Sequence, residues 1–119
     1  MKTTIIVVDD DEAARHSLVW LIKSWGYHVL SYASATSYLR DTVRSGKPAC
    51  VILDIHMPEI NGLELYAILK KQHPDIAVIF VTGHPNQDLA EKARKLDTKG
   101  FFVKPLDTDA LLHCIAASI

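Results

Sequence analysis

The sequence has two cysteines, a net charge near zero and no long apolar run. Cys50 and Cys114 do not form a CxxC pair, so we expect reduced structural thiols rather than a disulfide or a zinc site. Lys and Arg (13) nearly balance Asp and Glu (14), which gives no general attraction to nucleic acid or to a membrane. No apolar run approaches the roughly 18 residues of a membrane span, and no basic segment precedes an apolar one at the start. We therefore expect a cytoplasmic protein without a membrane partner.

Short apolar runs alternate with helical patterns along the 119 residues. The runs predict β-strands at 5–8, 29–30, 51–54, 76–81 and 100–103. The helical spacing predicts five helices: from Ala14 to a stop at Gly26, from 35 to 44, from Leu63 to a stop before Pro74, from 87 to 96, and from a cap at Asp107 or Thr108 onward. In the second helix we expect Tyr38, Leu39 and Val43 to face inward, and a turn at Ser45-Gly46-Lys47-Pro48 to follow. In the last helix we expect the core to be faced by Leu111, Leu112, Ile115 and Ile119. This alternation predicts one α/β domain over 1–119, a doubly wound five-stranded parallel sheet with right-handed crossovers.

Polar residues follow four of the predicted strands. They are Asp9 and Asp10 after the first strand, Asp54 at the end of the third, Thr82 after the fourth and Lys104 after the fifth. Ligand sites of parallel sheets lie at the carboxyl ends of the strands, so we expect these side chains at one edge.

When three carboxylates lie close together, their ionised forms are destabilised unless a cation binds between them. Because all the donors are oxygens, the sequence favours a hard ion such as Mg²⁺. Lys104 can pair with a carboxylate or with a phosphoryl oxygen, and Thr82 supplies a hydroxyl donor.

Each of these residues also has an ordinary interpretation. Asp9 and Asp10 could cap the first helix, Asp54 and Thr82 could be turn residues, and Lys104 could be a solvated lysine. Their joint placement at four strand ends favours a common site.

These motifs give the chain a resemblance to the receiver domains of bacterial two-component response regulators, over its whole length. The matching motifs are Val8-Asp9-Asp10, Asp54-Ile55-His56-Met57-Pro58, Asn61-Gly62, Val81-Thr82-Gly83-His84 and Val103-Lys104-Pro105. The resemblance is greatest to regulators joined to a C-terminal helix-turn-helix domain that binds DNA. It implies a flavodoxin-like three-layer sandwich with strand order 2-1-3-4-5.

The resemblance also implies roles at the site. Asp54 is the phosphoacceptor, which attacks a phosphohistidine of a sensor histidine kinase. Asp10 ligates Mg²⁺ directly and Asp9 acts through water, while Asp54 and the backbone carbonyl of His56 complete the protein ligands. Lys104 pairs with the phosphoryl group. The chain is then a signalling receiver that promotes its own phosphorylation and dephosphorylation, not an enzyme acting on other substrates.

The resemblance further implies a switch. The Thr82 hydroxyl moves toward the phosphoryl group, and Phe101 turns inward to remodel a dimerisation face of the fourth helix, fifth strand and fifth helix. His56 and His84 flank the phosphoryl group and modulate its hydrolysis. The alternatives are that Phe101 is a core aromatic beside Phe102 and that both histidines are exposed loop residues.

The chain departs from the family pattern in two places. The glycine that commonly ends the fourth helix is deferred to Gly100, and Phe101 lacks the hydroxyl of members with tyrosine. The sequence includes no basic DNA-reading helix, so we expect either a stand-alone regulator or the N-terminal domain of a longer one, with DNA bound only through an effector domain outside this chain.

Two other classes fit the fold less well. A phosphohydrolase of the haloacid-dehalogenase type needs a second Asp two residues after the nucleophile, where this chain has His56. A flavodoxin-like electron carrier binds FMN phosphate after the first strand, where the acidic run 9–12 would repel it.

Overall fold

The computed structural model describes residues 3–41 and 47–119. In chain order the elements are β1 (Thr4–Val8), α1 (Glu12–Ser24), β2 (His28–Tyr32), α2 (Ala35–Arg40), β3 (Cys50–Asp54), α3 (Gly62–Gln72), β4 (Ala77–Thr82), α4 (Asp88–Arg94), β5 (Gly100–Val103) and α5 (Thr108–Ser118). The strands pair in parallel in the order β2-β1-β3-β4-β5. This architecture confirms the predicted doubly wound sheet.

The sheet is covered by helices on both faces. Residues of β1, β3 and β4 alternate between two buried clusters, because successive side chains of a strand point to opposite faces. One cluster joins the sheet to α1 and α5, and the other joins it to α2, α3 and α4. Every residue of β3 and β4 is buried, which is typical of the central strands of a parallel sheet.

Side-chain caps start α1, α2, α3 and α5 at the carboxyl edge of the sheet, whereas Gln87 at the start of α4 makes no side-chain cap bond. The Asp11 carboxylate accepts hydrogen bonds from the first turn of α1, and the Asp107 carboxylate accepts one from Ala110 N–H at 3.1 Å. Asn61 and Glu64 form a reciprocal capping box at the start of α3, with bonds of 2.9 and 3.0 Å. At its other end α1 is followed by Gly26, whose φ of 94° suits a residue without a side chain.

Three predicted helix ends differ from the structure, and one of them is that of α4, which ends at Arg94 rather than at 96. Helix α2 ends at Arg40 rather than at 44, and the predictions for Val43 and the turn at Ser45-Gly46 lie outside the described residues. The prediction that Ile119 faces the core is wrong, because Ile119 follows the last residue of α5 and is 54% exposed. Leu111 is fully buried, whereas the next residue, Leu112, is only half-buried because it is rotated about 100° around the helix.

The β5 strand has a close contact with α5. A Cβ atom at Gly100 would lie 2.7 Å from the Sγ atom of Cys114, so the glycine permits this packing. Helix α4 ends at Arg94 with Lys95 as its C-cap, and the deferred glycine serves β5 rather than the helix end. Cys114 is a free thiol, as is the buried Cys50.

Within residues 3–41 and 47–119, each helix is too short or too polar to cross a lipid bilayer.

Candidate functional site

Three carboxylates meet at the carboxyl edge of the sheet. Asp9 follows β1 and Asp54 ends β3, and these strands are hydrogen-bonded neighbours. Oxygen atoms of Asp9, Asp10 and Asp54 all lie within 4.8 Å of one another. Asp9 and Asp54 are 1% and 5% exposed, whereas Asp10 is open to solvent. The predicted cluster is therefore formed, with two acids buried and one accessible.

Asp9 is held by contacts on each of its oxygens. Its Oδ1 accepts a hydrogen bond from Asp11 N–H at 2.9 Å, and its Oδ2 accepts one from Lys104 Nζ at 2.9 Å. Its backbone carbonyl accepts a bond from the guanidinium of Arg15 at 2.8 Å. Because Asp11 is the N-cap of α1, the interpretation of Asp9 and Asp10 as helix caps is wrong.

Lys104 bridges the two buried carboxylates. Its Nζ lies 2.9 Å from Asp9 Oδ2 and 3.7 Å from Asp54 Oδ2. Burial by itself lowers the pKa of Lys104, but the hydrogen bond to Asp9 and the charge of Asp54 outweigh it and raise the pKa. The residue is followed by a cis bond to Pro105, and its N–H donates to Thr82 carbonyl at 2.8 Å. The ammonium group is thus fixed next to both acids.

The ionised form of Asp54 is unfavourable in this setting. Burial, followed by the charge of Asp9, raises the pKa of Asp54 from its ordinary 3.8 to about 7. The positive charge of Lys104 and a 3.3 Å hydrogen bond from His56 N–H act in the opposite direction without cancelling the effect. The site therefore holds more negative charge than one lysine neutralises, and a bound cation would relieve it.

Thr82 is the fully buried last residue of β4, and two histidines contact its hydroxyl. Oγ1 accepts a hydrogen bond from His84 N–H at 2.9 Å and lies 3.1 Å from His56 Nδ1. The two imidazole rings meet edge to face, with centroids 5.2 Å apart. Burial, and then the nearby His84, lower the pKa of His56. His84 is exposed as the ordinary interpretation expected, but His56 is half-buried and part of a hydrogen-bonded group.

The loop after β3 packs directly against the backbone of Asp54. A Cβ atom at Gly62 would lie 2.5 Å from the Asp54 carbonyl oxygen and 2.9 Å from Ile55 Cα. The Gly62 N–H also donates to the Ile55 carbonyl at 2.9 Å. A glycine is needed here for the loop to close over the end of β3.

Phe101 lies outside the polar cluster, on the α4 side of the sheet. It pairs with Phe80 in the β4–β5 register, two positions before the pair of Thr82 with Val103. It packs with the cluster of α2, α3 and α4, while Phe102 packs with the opposite one. The two aromatics therefore lie on opposite faces of the sheet, and Phe101 shares its face with Thr82.

Sequence reasoning gave no role to four residues that shape this region. Asp11 caps α1, Arg15 binds the Asp9 carbonyl, Gly62 permits the loop packing, and Arg94 contacts Phe101. An Asp directly before a helical pattern is a recognisable cap signal. The sequence has no comparable signal for Arg15 or Arg94, because their contacts depend on the folded arrangement.

A family of known proteins matches most of the chain. Residues 5–116 match the family model described as response regulator receiver domain. The chain is 39% identical to the transcriptional regulatory protein FixJ of Azorhizobium caulinodans over 113 residues, which cover 95% of this chain and 53% of that protein. The chain spans about half the length of the curated relatives it matches.

Solved structures agree with this match. A receiver domain protein from Clostridium thermocellum has a TM-score of 0.88 and 30% identity, covering 98% of this chain and 94% of its own. The response regulator TrrA from Thermotoga maritima, solved in complex with Mg²⁺ and BeF, has a TM-score of 0.82 and 29% identity, covering 98% and 99%. The chain belongs to the response regulator receiver domain family.

Proposed function

We propose that this chain is a phosphorylation-activated signalling switch, which receives a phosphoryl group on Asp54 from a sensor histidine kinase and controls an effector. The observation that supports it is the gathering of three carboxylates, Lys104 and Thr82 at one sheet edge of a receiver-family chain. Transcription is the proposed output, because a relative that spans the chain is a transcriptional regulator. We propose a cytoplasmic protein that reaches DNA only through an effector domain outside this chain.

The donor set fits Mg²⁺. All three side chains supply hard oxygen ligands, and Asp10 leaves room for the waters that this ion retains. Asp10 would ligate the ion directly, Asp9 through water, and Asp54 and the backbone carbonyl of His56 would complete the protein ligands. The ion would neutralise charge on the transferred phosphoryl group.

The side chains have distinct roles in the transfer. An Asp54 carboxylate oxygen attacks the phosphorus atom of the phosphohistidine, the P–N bond breaks, and an aspartyl phosphate forms. Lys104 already lies 3.7 Å from Asp54 and can exchange Asp9 for a phosphoryl oxygen. The Thr82 hydroxyl donates to a second oxygen, and His56 and His84 modulate later attack by water. The chain acts on no other substrate, so it is a signalling receiver rather than a conventional enzyme.

The output would pass from Thr82 to Phe101 along the α4 side of the sheet. Phosphorylation adds roughly one and a half to two negative charges at Asp54. Movement of the buried Thr82 hydroxyl toward that charge leaves space on the face that it shares with Phe101. Inward rotation of Phe101 would shift the population toward a second packing of α4, β5 and α5, the proposed homodimer surface.

The acceptor assignment is tested with acetyl phosphate and Mg²⁺ as the phosphoryl source. Wild-type protein should gain an acid-stable, hydroxylamine-sensitive label, and Asp54→Asn should gain none. Asp88→Asn, an exposed acid on α4, is the matched control and should be labelled normally. Labelling of Asp54→Asn would reassign the nucleophile. Rapid steady release of inorganic phosphate, without a stable label, would favour the phosphohydrolase alternative.

The metal assignment is tested by Mg²⁺ titration of backbone amide signals. Asp10→Asn should weaken binding about tenfold or more, because two carboxylates hold a strongly hydrated ion poorly. Glu12→Gln removes a nearby exposed acid and should bind Mg²⁺ as the wild type does. An unchanged affinity in Asp10→Asn would contradict direct ligation.

A further inference from the structure

The contact between His56 and Thr82 leaves two arrangements of protons. Nδ1 lies 3.1 Å from Thr82 Oγ1 and can either donate to it or accept from it. If Nδ1 accepts, the single hydroxyl proton of Thr82 is committed to His56. If Nδ1 donates, the hydroxyl proton is left for another acceptor. These two arrangements give Thr82 opposite roles.

The surroundings of the other ring nitrogen, Nε2, distinguish the two proton arrangements. His56 Nε2 is a buried side-chain atom without a hydrogen-bond partner among the described residues. When Nδ1 accepts, the ring proton is on Nε2 and a buried N–H has no acceptor. A protonated ring would bury the same N–H with an added charge. A buried N–H without an acceptor is rarer in proteins than an acceptor that lacks a donor. The neutral ring with its proton on Nδ1 avoids both situations.

The neighbourhood of Thr82 agrees with this arrangement. His84 N–H already donates to Oγ1 at 2.9 Å, so a second donor at Nδ1 occupies both acceptor sites of the hydroxyl. The hydroxyl proton then points away from both histidines. Thr82 neighbours the end of β3, since Val81 pairs with Asp54 in the register. Asp54, on this adjacent strand, is the proposed carrier of the phosphoryl group that would accept the hydroxyl proton in a hydrogen bond.

We propose that His56 is a positioning residue, whose Nδ1–H orients the Thr82 hydroxyl as a donor to the phosphoryl group on Asp54. This inference rests on the proposed function for its outcome, but the proton assignment does not depend on it. In this role His56 acts through its contact with the Thr82 hydroxyl. The imidazole thereby prepares the site before phosphorylation begins.

The proton assignment is tested on the unphosphorylated wild-type protein. Long-range ¹H–¹⁵N correlation of a ¹⁵N-histidine sample distinguishes a ring protonated on Nδ1 from one protonated on Nε2. We expect the His56 ring to carry its proton on Nδ1. A ring protonated on Nε2, or on both nitrogens, would overturn the inference. The measurement needs no phosphoryl donor, so it stands even if the proposed function fails.

The effect of His56 on phosphorylation of Asp54 is tested by the rate of labelling with acetyl phosphate. His56→Leu keeps the bulk but removes the donor, and should slow labelling about tenfold, the ratio for one hydrogen bond of ~1.4 kcal/mol. His56→Asn places an amide N–H near the Nδ1 position and should restore most of the rate. In a Thr82→Ala background, His56→Leu should have no further effect. A normal rate in His56→Leu, or an equal loss in both backgrounds, would refute the positioning role. Absence of any label on wild-type Asp54 would instead refute the proposed function.

Discussion

The guanidinium group of Arg94 lies over the ring of Phe101, with its central carbon 4.7 Å from the ring centroid. The same side chain donates a hydrogen bond to the Pro85 carbonyl at 3.0 Å. Arg94 is the last residue of α4, Phe101 is on β5, and Pro85 is in the loop that follows β4. Phe101 has no hydroxyl and cannot form a phenolic hydrogen bond. The stacking contact with Arg94 fixes its ring instead. One side chain therefore joins α4 and β5 of the proposed output surface to the loop that follows β4.

Removal of this contact should loosen the surface. Arg94→Ala should lower the free energy of unfolding by about 1 kcal/mol, because an exposed cation–π pair contributes about 0.5–1 kcal/mol and a hydrogen bond a similar amount. Urea denaturation measures the change. Lys92→Ala, an exposed residue in the last turn of the same helix, is the control and should change stability by less than about 0.5 kcal/mol. Equal losses in the two variants would show that the contact of Arg94 with Phe101 does not cause the loss, since alanine itself favours the helix.

The buried Asp54 should make stability depend on pH. Its pKa is raised from 3.8 to about 7 in the folded protein, so its ionisation opposes folding. The cost is absent below about pH 4, grows between about pH 4 and 7, and is complete above about pH 7. Asp54→Asn should therefore stabilise the metal-free protein at pH 8, by up to about 4 kcal/mol, and have little effect at pH 4. Urea denaturation in EDTA at the two pH values measures the difference.

Two controls separate this effect from other consequences of the substitution. Asp10→Asn, which removes an exposed acid of the same cluster, is measured beside it, and the gain at pH 8 should be larger in Asp54→Asn. Addition of Mg²⁺ at pH 8 should stabilise the wild type more than Asp54→Asn, because only the wild type retains all three carboxylates. A gain of equal size at pH 4 and pH 8 would mean that ionisation of Asp54 is not its cause.

Gly62 should be intolerant of any side chain. An added Cβ would lie 2.5 Å from the Asp54 carbonyl oxygen, and backbone atoms at that distance must move apart. Gly62→Ala should lower the free energy of unfolding by about 1–3 kcal/mol and shift the amide signals of the β3–α3 loop. Gly83→Ala is the control, because its Cβ would meet only Lys104 Cδ, at 3.9 Å. A stable Gly62→Ala protein with unchanged loop signals would contradict the steric argument.

The strands and the acidic cluster could be predicted from sequence because each depends on short-range patterns. Apolar runs marked every strand, and the polar residues that follow four of these runs needed only the parallel topology to reach the site. Ile119 was misplaced because periodicity was extended past the last turn of α5, where a residue no longer has a helical face. The presence of acidic residues alone does not identify a helix cap, because Asp11 caps α1 although Asp9 and Asp10 also precede this helix.

Contacts between distant segments could not be predicted in this way. The hydrogen-bonding distance between His56 and Thr82 depends on where the loop after β3 lies relative to the end of β4. The position of Arg94 over Phe101 depends on how α4 packs against β5. Neither pair has a fixed separation in sequence, so no periodic pattern reports it.

Thr82 should be required for the response to phosphorylation more than for phosphorylation itself. Thr82→Ala retains Asp54, Lys104 and the acidic cluster, so it should still be labelled to completion by acetyl phosphate, although more slowly. Without a hydroxyl to draw toward the new charge, Phe101 should stay in its resting position, and the labelled variant should remain monomeric under conditions where phosphorylated wild type dimerises.

Sedimentation velocity on phosphorylated and unphosphorylated samples measures this separation of labelling from association. Thr82→Ser keeps the hydroxyl and is the matched control, which should associate on phosphorylation as the wild type does. The completely buried position of Thr82 makes this comparison sensitive, because the two variants differ chiefly in one buried oxygen that contacts both histidines. Phosphate-driven dimerisation of Thr82→Ala at wild-type concentrations would remove Thr82 from the relay and leave Phe101 to respond to the charge by another route.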